Sequence, residues 1–151
     1  MELDDLASVL ANSDFFRICD VEQRRLLAFA SEQRSFKAGD YLYRRGDVSQ
    51  GAYVLVSGSV LAGEGDAADK LHRLDEPGTV LGELGLVLER PRRSSMKAES
   101  DVQGLFVPRS AFVKLMRQYP DMAERAAAHV ALELDEFLGT MSAFGQRDGL
   151  R

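Results

Sequence analysis

The sequence predicts a mainly β fold with flanking helices, an α+β arrangement: an antiparallel β-roll or jelly roll with N-terminal helices and a long C-terminal helix. Short apolar runs separated by glycine, proline and aspartate fill residues 35–108, at a spacing typical of short antiparallel strands. On both sides of that stretch the apolar residues recur at helical spacing. We therefore expect a single domain over 1–151, with helices in 1–34 and 109–144 around the roll.

The composition fits one globular domain. Of the 151 residues, 45% are hydrophobic and 28% are charged, which suffices for one core but not for a second large domain. No apolar run approaches the roughly 20 residues of a transmembrane helix, and the opening MELDDLASVL has acids where a secretory signal has basic residues. A lone cysteine, Cys19, excludes an internal disulfide. We expect a cytoplasmic protein in which Cys19 is a small core residue.

Capping and turn signals place the first elements. DVEQRRLLAFAS opens with Asp20 as a helix N-cap and has Gln23 three residues later, the spacing of a capping box. The clearest strand is AYVLVSGSV, with Ser57 and Gly58 as its turn, and AGEGDAAD is small and polar enough to be an exposed hairpin tip. We expect the remaining strands to alternate with similar turns up to Val107.

The helical period returns after Pro108. RSAFVKLMRQY predicts a helix of about three turns, and Pro120 is well placed to begin another. The last helix has apolar residues at spacings of four and three: Ala123, Ala127, Val130, Leu134, Phe137, Met141 and Phe144. This heptad-like seam has two interpretations, packing against its own roll or against a partner helix in a parallel homodimer.

The stretch from Val80 to Ser100, VLGELGLVLERPRRSSMKAES, has a charge balance of the opposite sign to that of the whole chain. The net charge is −5, the wrong sign for a protein whose main partner is a nucleic acid. Within this stretch the bases outnumber the acids: Arg90, Arg92, Arg93 and Lys97 against Glu83, Glu89 and Glu99. A charge run of this kind is most often a solvated face, so its meaning depends on the backbone around it.

That backbone suits a small anionic ligand. Gly82 and Gly85 allow close approach, and ELGLVL can form a helical turn whose N–H groups face an anion. Arg92 follows a proline and offers a two-pronged grip on phosphate oxygens. Glu83 would repel a phosphate but can accept a hydrogen bond from a sugar hydroxyl. The stretch therefore predicts a ligand with one phosphate and one sugar hydroxyl.

These residues also carry a resemblance. LGELGLVLERPRRSSMKA, over residues 81–98, resembles the phosphate-binding cassette of cyclic nucleotide-binding domains, the family of the catabolite activator protein and the regulatory subunits of cyclic-AMP-dependent kinase. FKAGDYLYRRGD, AYVLVSGSV, DEPGTVLGE and DVQGLFVPRSAF are similar to the family's flanking segments, so nearly the whole chain is covered. The resemblance implies a regulatory sensor that binds cyclic AMP (cAMP) or cyclic GMP (cGMP) and acts through its C-terminal helix, whose Phe137 and Phe144 are candidates to cover the base.

The resemblance also assigns roles to residues. It implies that Glu83 accepts the ribose 2′-hydroxyl and that Arg92 pairs with the cyclic phosphate. Other positions would line the pocket through backbone N–H groups: Gly82, Leu84, Gly85, and those around Arg93 and Ser94. We expect binding to favour the form in which the cassette and the last helix close together, shifting a two-state equilibrium.

Arg93 departs from the family pattern, which has alanine, serine or threonine directly after the arginine. Three alternatives stay open: Arg93 crowds the pocket, adds a phosphate contact, or turns to solvent. A register with Arg93 as the phosphate ligand and Ser94 behind it shifts the next strand by one residue and turns its side chains over, so we favour Arg92. In the family a threonine directly after the arginine favours cGMP; because no threonine follows Arg92, the resemblance implies cAMP rather than cGMP, and Ser94 and Ser95 leave cGMP as an alternative.

Other functions have less support in the sequence. We expect no enzyme, since no nucleophile or general base is needed, and no metal, since the only histidines are the distant His72 and His129. We expect no DNA-binding domain in this chain, because it ends without a helix-turn-helix; whether it is complete or a fragment stays open. The alternative function is a ligand-free β-roll interaction or dimerisation module. Glu83 and Arg92, read as a facing acid and base, favour nucleotide binding, and Arg93 favours this alternative.

Overall fold

The computed structural model describes residues 2–63 and 71–132. Three helices precede the sheets: α1 (Leu3–Ala11), the first 3-10 helix (Phe15–Ile18) and α2 (Val21–Ala30). Eight strands follow in the described residues: β1 (Glu32–Phe36), β2 (Tyr41–Tyr43), β3 (Gly51–Ser57), β4 (Val60–Gly63), β5 (His72–Leu74), β6 (Val80–Leu81), β7 (Ser95–Ala98) and β8 (Val102–Pro108). The second 3-10 helix (Glu83–Leu86) lies between β6 and β7, and α3 (Arg109–Gln118) is followed by α4, which is described over 120–132.

Two antiparallel four-stranded sheets form the roll, in the orders β1-β8-β3-β6 and β2-β7-β4-β5. The predicted turn at Ser57 and Gly58 lies between β3 and β4, so it carries the chain from one sheet to the other. The roll begins at Glu32 rather than at residue 35, because the polar edge strand β1 is defined by pairing with β8, from Glu32 opposite Phe106 to Phe36 opposite Val102. The predicted mainly β fold with flanking helices is confirmed.

The predicted helix starts are also confirmed. Asp20 Oδ1 accepts from the Gln23 N–H at 2.8 Å, and Gln23 Oε1 accepts from the Asp20 N–H at 2.8 Å, which is a capping box at the start of α2. Pro120 is the first residue of α4. A cap of this kind contributes on the order of 1 kcal/mol to stability. Most of the predicted hairpin tip AGEGDAAD falls in residues 64–70, outside the described residues.

Strand β3 separates two hydrophobic cores. Successive side chains of a strand point to opposite faces, and here both faces are covered, so every residue from Gly51 to Leu55 is buried. Tyr53 and Leu55 belong to the core inside the roll, whereas Ala52 and Val54 belong to the core between the sheet and the helices. The second core includes Leu10, Phe15, Phe16, Leu105, Phe112 and Met122.

Cys19 lies in the helical core, as predicted. Its side chain is buried, and the thiol donates to Met122 Sδ of α4 over 3.6 Å. Burial raises the pKa of the Cys19 thiol to about 12, so the thiol stays protonated at neutral pH. Cys19 therefore serves as a packing residue that joins the N-terminal segment to α4.

The described part of α4 corrects the phase of the predicted seam. Its buried stripe is Met122, Ala126 and Val130, whereas Ala123 is half-buried and Ala127 is exposed. Ala123 and Ala127 therefore do not pack into the core of their own chain as the first interpretation of the seam requires, because the buried face is the one that contains the bulky Met122. Packing of the seam against a partner helix stays a prediction. The other seam residues, Leu134, Phe137, Met141 and Phe144, lie outside the described residues.

Removing Phe16 is expected to destabilise the fold strongly. Phe16 is fully buried and meets Phe15 edge to face at 5.0 Å between ring centroids. Phe16→Ala should lower the free energy of unfolding by about 3–5 kcal/mol, measured by urea denaturation, because it leaves a cavity in the helical core. The control Phe29→Ala removes a ring that is 81% exposed and should change stability by less than about 0.5 kcal/mol. Equal losses in both variants would contradict this description of the core.

Candidate ligand-binding site

A cavity of about 780 Å³ lies beside the second 3-10 helix, within the roughly 300–1,000 Å³ range of small-molecule sites. Its walls include Tyr43 of β2, β6, the segment over 90–94 and Met96 of β7. The structure brings all the sequence-predicted site residues to this cavity: Gly82, Glu83, Leu84, Gly85, Arg92, Arg93 and Ser94. Residues from both ends of the predicted cassette therefore line one cavity.

Two glycines shape the start of the cassette. Gly82 has a left-handed backbone, with φ of 77°, and precedes the second 3-10 helix, which is the helical turn predicted for ELGLVL. A Cβ atom on Gly82 would collide with the Arg92 guanidinium, and one on Gly85 would collide with the carbonyl oxygen of Gly51. The glycines are therefore required for packing within the chain, a reason that the sequence did not indicate.

Three backbone hydrogen bonds align the arginine segment. The Arg92 N–H donates to the Asp47 carbonyl at 2.7 Å, and the Gly46 N–H donates back to the Arg92 carbonyl at 2.8 Å. The Ser49 N–H donates to the Arg90 carbonyl at 3.1 Å. With the chain held in this way, the side chain of Arg92 is half-buried and that of Arg93 is exposed. This arrangement agrees with the register in which Arg92 is the inward arginine.

Arg92 joins the cassette to the neighbouring strands. Its Nη2 donates to the Gly51 carbonyl at 2.8 Å, its Nη1 donates to the Gly82 carbonyl at 3.2 Å, and its guanidinium carbon lies 4.1 Å from the Tyr43 ring centroid. Burial lowers the pKa of Arg92 from its usual value, but a guanidinium remains charged at neutral pH. These bonds use two of its five N–H donors, so the cation keeps donors for an anion.

The acid of the cassette pairs with the last helix. Glu83 Oε1 lies 3.2 Å from His129 Nε2 on α4, and the Glu83 side chain is 15% exposed. Burial raises the pKa of Glu83, and the interaction with His129 opposes this rise. The sequence interpretation treated Glu83 and Arg92 as a facing acid and base. Among the described residues the side chain that contacts the Glu83 carboxylate is His129 instead, because α4 lies against the cassette.

Sequence reasoning missed three residues that build this site: Tyr43, Arg109 and His129. Arg109 Nη1 donates to the Ser49 carbonyl at 2.7 Å and makes 3.3 Å bonds to the carbonyls of Gly85 and Leu88. It thereby ties the start of α3 to the C-terminal end of the second 3-10 helix and the residues just after it. The position after Pro108 marked Arg109 as a helix start, but its carbonyl partners are up to 60 residues away, which no local pattern specifies.

Neither a metal centre nor a membrane helix is found in the part of the chain that the structure describes. Within 2–63 and 71–132, no three His, Cys, Asp or Glu side chains are grouped so that they could hold a metal ion. The two histidines are separated as the sequence indicated, His72 on β5 and His129 on α4. None of the described helices combines the length and the apolar character needed to span a bilayer.

Comparison with known proteins gives consistent matches. The family model of the cyclic nucleotide-binding domain matches residues 33–119. The chain is 31% identical over 121 residues to the cAMP-dependent protein kinase type II regulatory subunit of Drosophila melanogaster, covering 78% of this chain and 32% of that protein. It is 30% identical over 111 residues to the cyclic AMP receptor protein of Thermus thermophilus, covering 70% of this chain and 50% of that protein.

Solved structures agree with these sequence matches. The structure of a cyclic nucleotide-binding-like protein from Brucella abortus is 30% identical, with a TM-score of 0.64 over 76% of this chain and 99% of that chain. The chain spans half or less of the length of the kinase subunit and of the receptor protein. The matched residues 33–119 include strands β2 to β8 and the whole predicted cassette. The chain therefore belongs to the cyclic nucleotide-binding domain family.

Proposed function

We propose that this chain is a regulatory sensor module that binds a cyclic nucleotide, cAMP in preference to cGMP, and signals through its C-terminal helix. The observation that carries the proposal is the charge of the cavity. Its described lining has four arginines, Arg45, Arg90, Arg92 and Arg93, and one acid, Glu83, whereas the whole chain has a net charge of −5. A cavity with the opposite sign to its protein favours a small anion.

The phosphate of the nucleotide would bind at Arg92. Its guanidinium is half-buried on the cavity wall and fixed by two carbonyl groups and the Tyr43 ring. A cation held in this way needs little reordering when an anion arrives, which favours affinity. The backbone N–H groups at Gly82, Leu84 and Gly85, and around Arg93 and Ser94, would supply further contacts to the ligand. Arg93 also lines the cavity, and its side chain is exposed, so it would contact the ligand from the solvent side.

The sugar would bind at Glu83. The raised pKa of Glu83 indicates that burial disfavours its ionised form. A hydrogen bond from a ligand hydroxyl would explain why the chain keeps a carboxylate at this position. Two relatives carry cAMP in their names, the kinase regulatory subunit and the cyclic AMP receptor protein. The absence of a threonine after Arg92 also favours cAMP. The signal of nucleotide binding would pass through α4, whose His129 contacts Glu83. A homodimer formed through the C-terminal helix stays a prediction.

A second candidate is a ligand-free interaction or dimerisation module of the same fold. One observation favours it: both charged groups of the cassette already have partners within the chain. Arg92 donates to two backbone carbonyls, and Glu83 pairs with His129. Such contacts could hold a cassette that no longer needs a nucleotide, and a titration distinguishes the two functions.

Isothermal titration of the purified chain, after dialysis and extraction of carried nucleotide, is expected to show micromolar or tighter binding of cAMP and weaker binding of cGMP. Arg92→Leu should weaken cAMP binding about ten- to a hundredfold, since a hydrogen bond to a charged group contributes about 1.5–3 kcal/mol. The matched control is Arg17→Leu, which removes an arginine whose side chain is 70% exposed and which pairs with Asp14; the affinity of this variant should equal that of the wild type.

Two results would contradict parts of this proposal. If neither cAMP nor cGMP gives a heat of binding, the ligand-free module is favoured. Equal affinity in Arg92→Leu and wild type would exclude Arg92 as the phosphate ligand. Because Arg92 also binds the carbonyls of Gly51 and Gly82, circular dichroism and thermal unfolding should accompany the titration. Arg92→Lys, which keeps the charge but not the two-pronged geometry, is expected to have intermediate affinity.

Glu83→Gln is expected to make the chain more stable at neutral pH and to weaken its cAMP binding. Burial raises the pKa of Glu83 above 4.5, so the folded state favours the protonated carboxyl. Its contribution to stability is fully present below the pKa of the unfolded chain and is lost as pH rises through the raised pKa of the folded state. The variant should therefore exceed the wild type in free energy of unfolding at pH 7, and the difference should shrink below about pH 4.5.

Urea denaturation at several pH values measures this difference. Glu76→Gln is the matched control, because Glu76 is exposed and its carboxylate has no part in the cavity lining. It should show the same stability as the wild type across the range. A Glu83→Gln variant that is less stable than the wild type at pH 7 would show that the pair with His129 outweighs the cost of burial.

A further inference from the structure

One carboxylate connects the cavity to the last helix. Glu83 lines the cavity, and its Oε1 also lies 3.2 Å from His129 Nε2 on α4. His129 is not part of the described cavity lining, and its side chain is 34% exposed. The histidine therefore approaches Glu83 from the side of the helix, while a ligand would approach from the side of the cavity.

The position of His129 is set by the docking of α4 on the N-terminal segment. The His129 ring meets the Phe15 ring edge to face, with 4.9 Å between the ring centroids and an angle of 85°. One and two turns earlier on the helix, Arg125 Nε donates to the Ile18 carbonyl at 2.8 Å and Met122 Sδ accepts from Cys19. Three contacts along one face thus hold the imidazole against the cassette.

The chemistry of the pair suits a group that supports a ligand contact. A carboxylate has two oxygens and about four acceptor positions, and His129 engages Oε1, so a hydroxyl can bond to the other oxygen. His129 opposes the rise in the pKa of Glu83 that burial causes. It therefore favours the ionised carboxylate, which accepts stronger hydrogen bonds than the neutral acid. It also restricts the rotamers of Glu83 before the ligand arrives.

We propose that His129 is a positioning residue for Glu83: it holds the carboxylate ready for the ribose 2′-hydroxyl and so couples nucleotide binding to the docking of α4. This inference rests on the proposed function. Coupling of this kind is reciprocal. If docked α4 strengthens the contact between Glu83 and the ribose, a nucleotide that makes this contact stabilises docked α4 by the same factor.

The test compares two nucleotides with three forms of the full chain. Cyclic AMP and 2′-deoxy-cAMP differ only in the 2′-hydroxyl, from which Glu83 would accept a hydrogen bond. His129→Leu removes the donor with a side chain of similar size, and His129→Gln keeps an amide N–H donor near the position of Nε2. His129→Leu is expected to lose about fivefold or more in affinity for cAMP and to bind 2′-deoxy-cAMP like the wild type. His129→Gln should restore most of the lost affinity.

Each other result has a defined meaning. Equal loss for both nucleotides in His129→Leu would mean that His129 only supports the fold, and unchanged or tighter cAMP binding would exclude the positioning role; either overturns this inference while the proposed function stands. A wild-type chain that binds neither nucleotide overturns the proposed function and this inference together. If His129→Leu does not fold, hydrogen exchange in the wild type tests the coupling instead.

Hydrogen exchange of the amides in 120–132 gives a second readout. Cyclic AMP is expected to slow exchange in this part of α4 in the wild type, and 2′-deoxy-cAMP should slow it less. In His129→Leu the two nucleotides should have the same effect, because the path through Glu83 is broken. Equal protection by both nucleotides in the wild type would contradict the coupling.

Discussion

The hydrogen bond from Arg92 to the Gly51 carbonyl connects the cassette to the strand that both hydrophobic cores share. Gly51 begins β3, which is buried on both faces and pairs with β8 and β6. A hydrogen bond from a charged donor to a strand carbonyl is stronger than one from a neutral donor. The candidate site is therefore built on a strand that is buried on both faces, which limits how far the Arg92 guanidinium can move.

The site also concentrates costly groups. Burial disfavours the charged forms of both Arg92 and Glu83, and neither charge adds hydrophobic packing. Both are held by neighbours from other elements, Arg92 by the carbonyls of Gly51 and Gly82 and Glu83 by His129. Charges kept at such a cost are expected where function needs them, since replacement by neutral groups often stabilises a fold.

The two ends of the described chain meet at this site. Phe15 and Cys19, from the N-terminal segment, pack against His129 and Met122 of α4. Arg109, at the start of α3, donates to the carbonyls of Gly85 and Leu88 at the C-terminal end of the second 3-10 helix. The helices are therefore in direct contact with the cassette rather than separated from it by the sheets, and α4 reaches the cassette through the contact between His129 and Glu83.

The sequence by itself determined the class of fold, the capping box at Asp20 and the cassette residues that line the cavity, because turns, caps and a contiguous motif are local patterns. The tertiary structure decided which distant segments contact each other. It placed β1 beside β8, selected the Met122 face of α4 over that of Ala127, and gave Glu83 the partner His129. Such choices depend on which surfaces meet after folding, and no spacing within a segment specifies its partner.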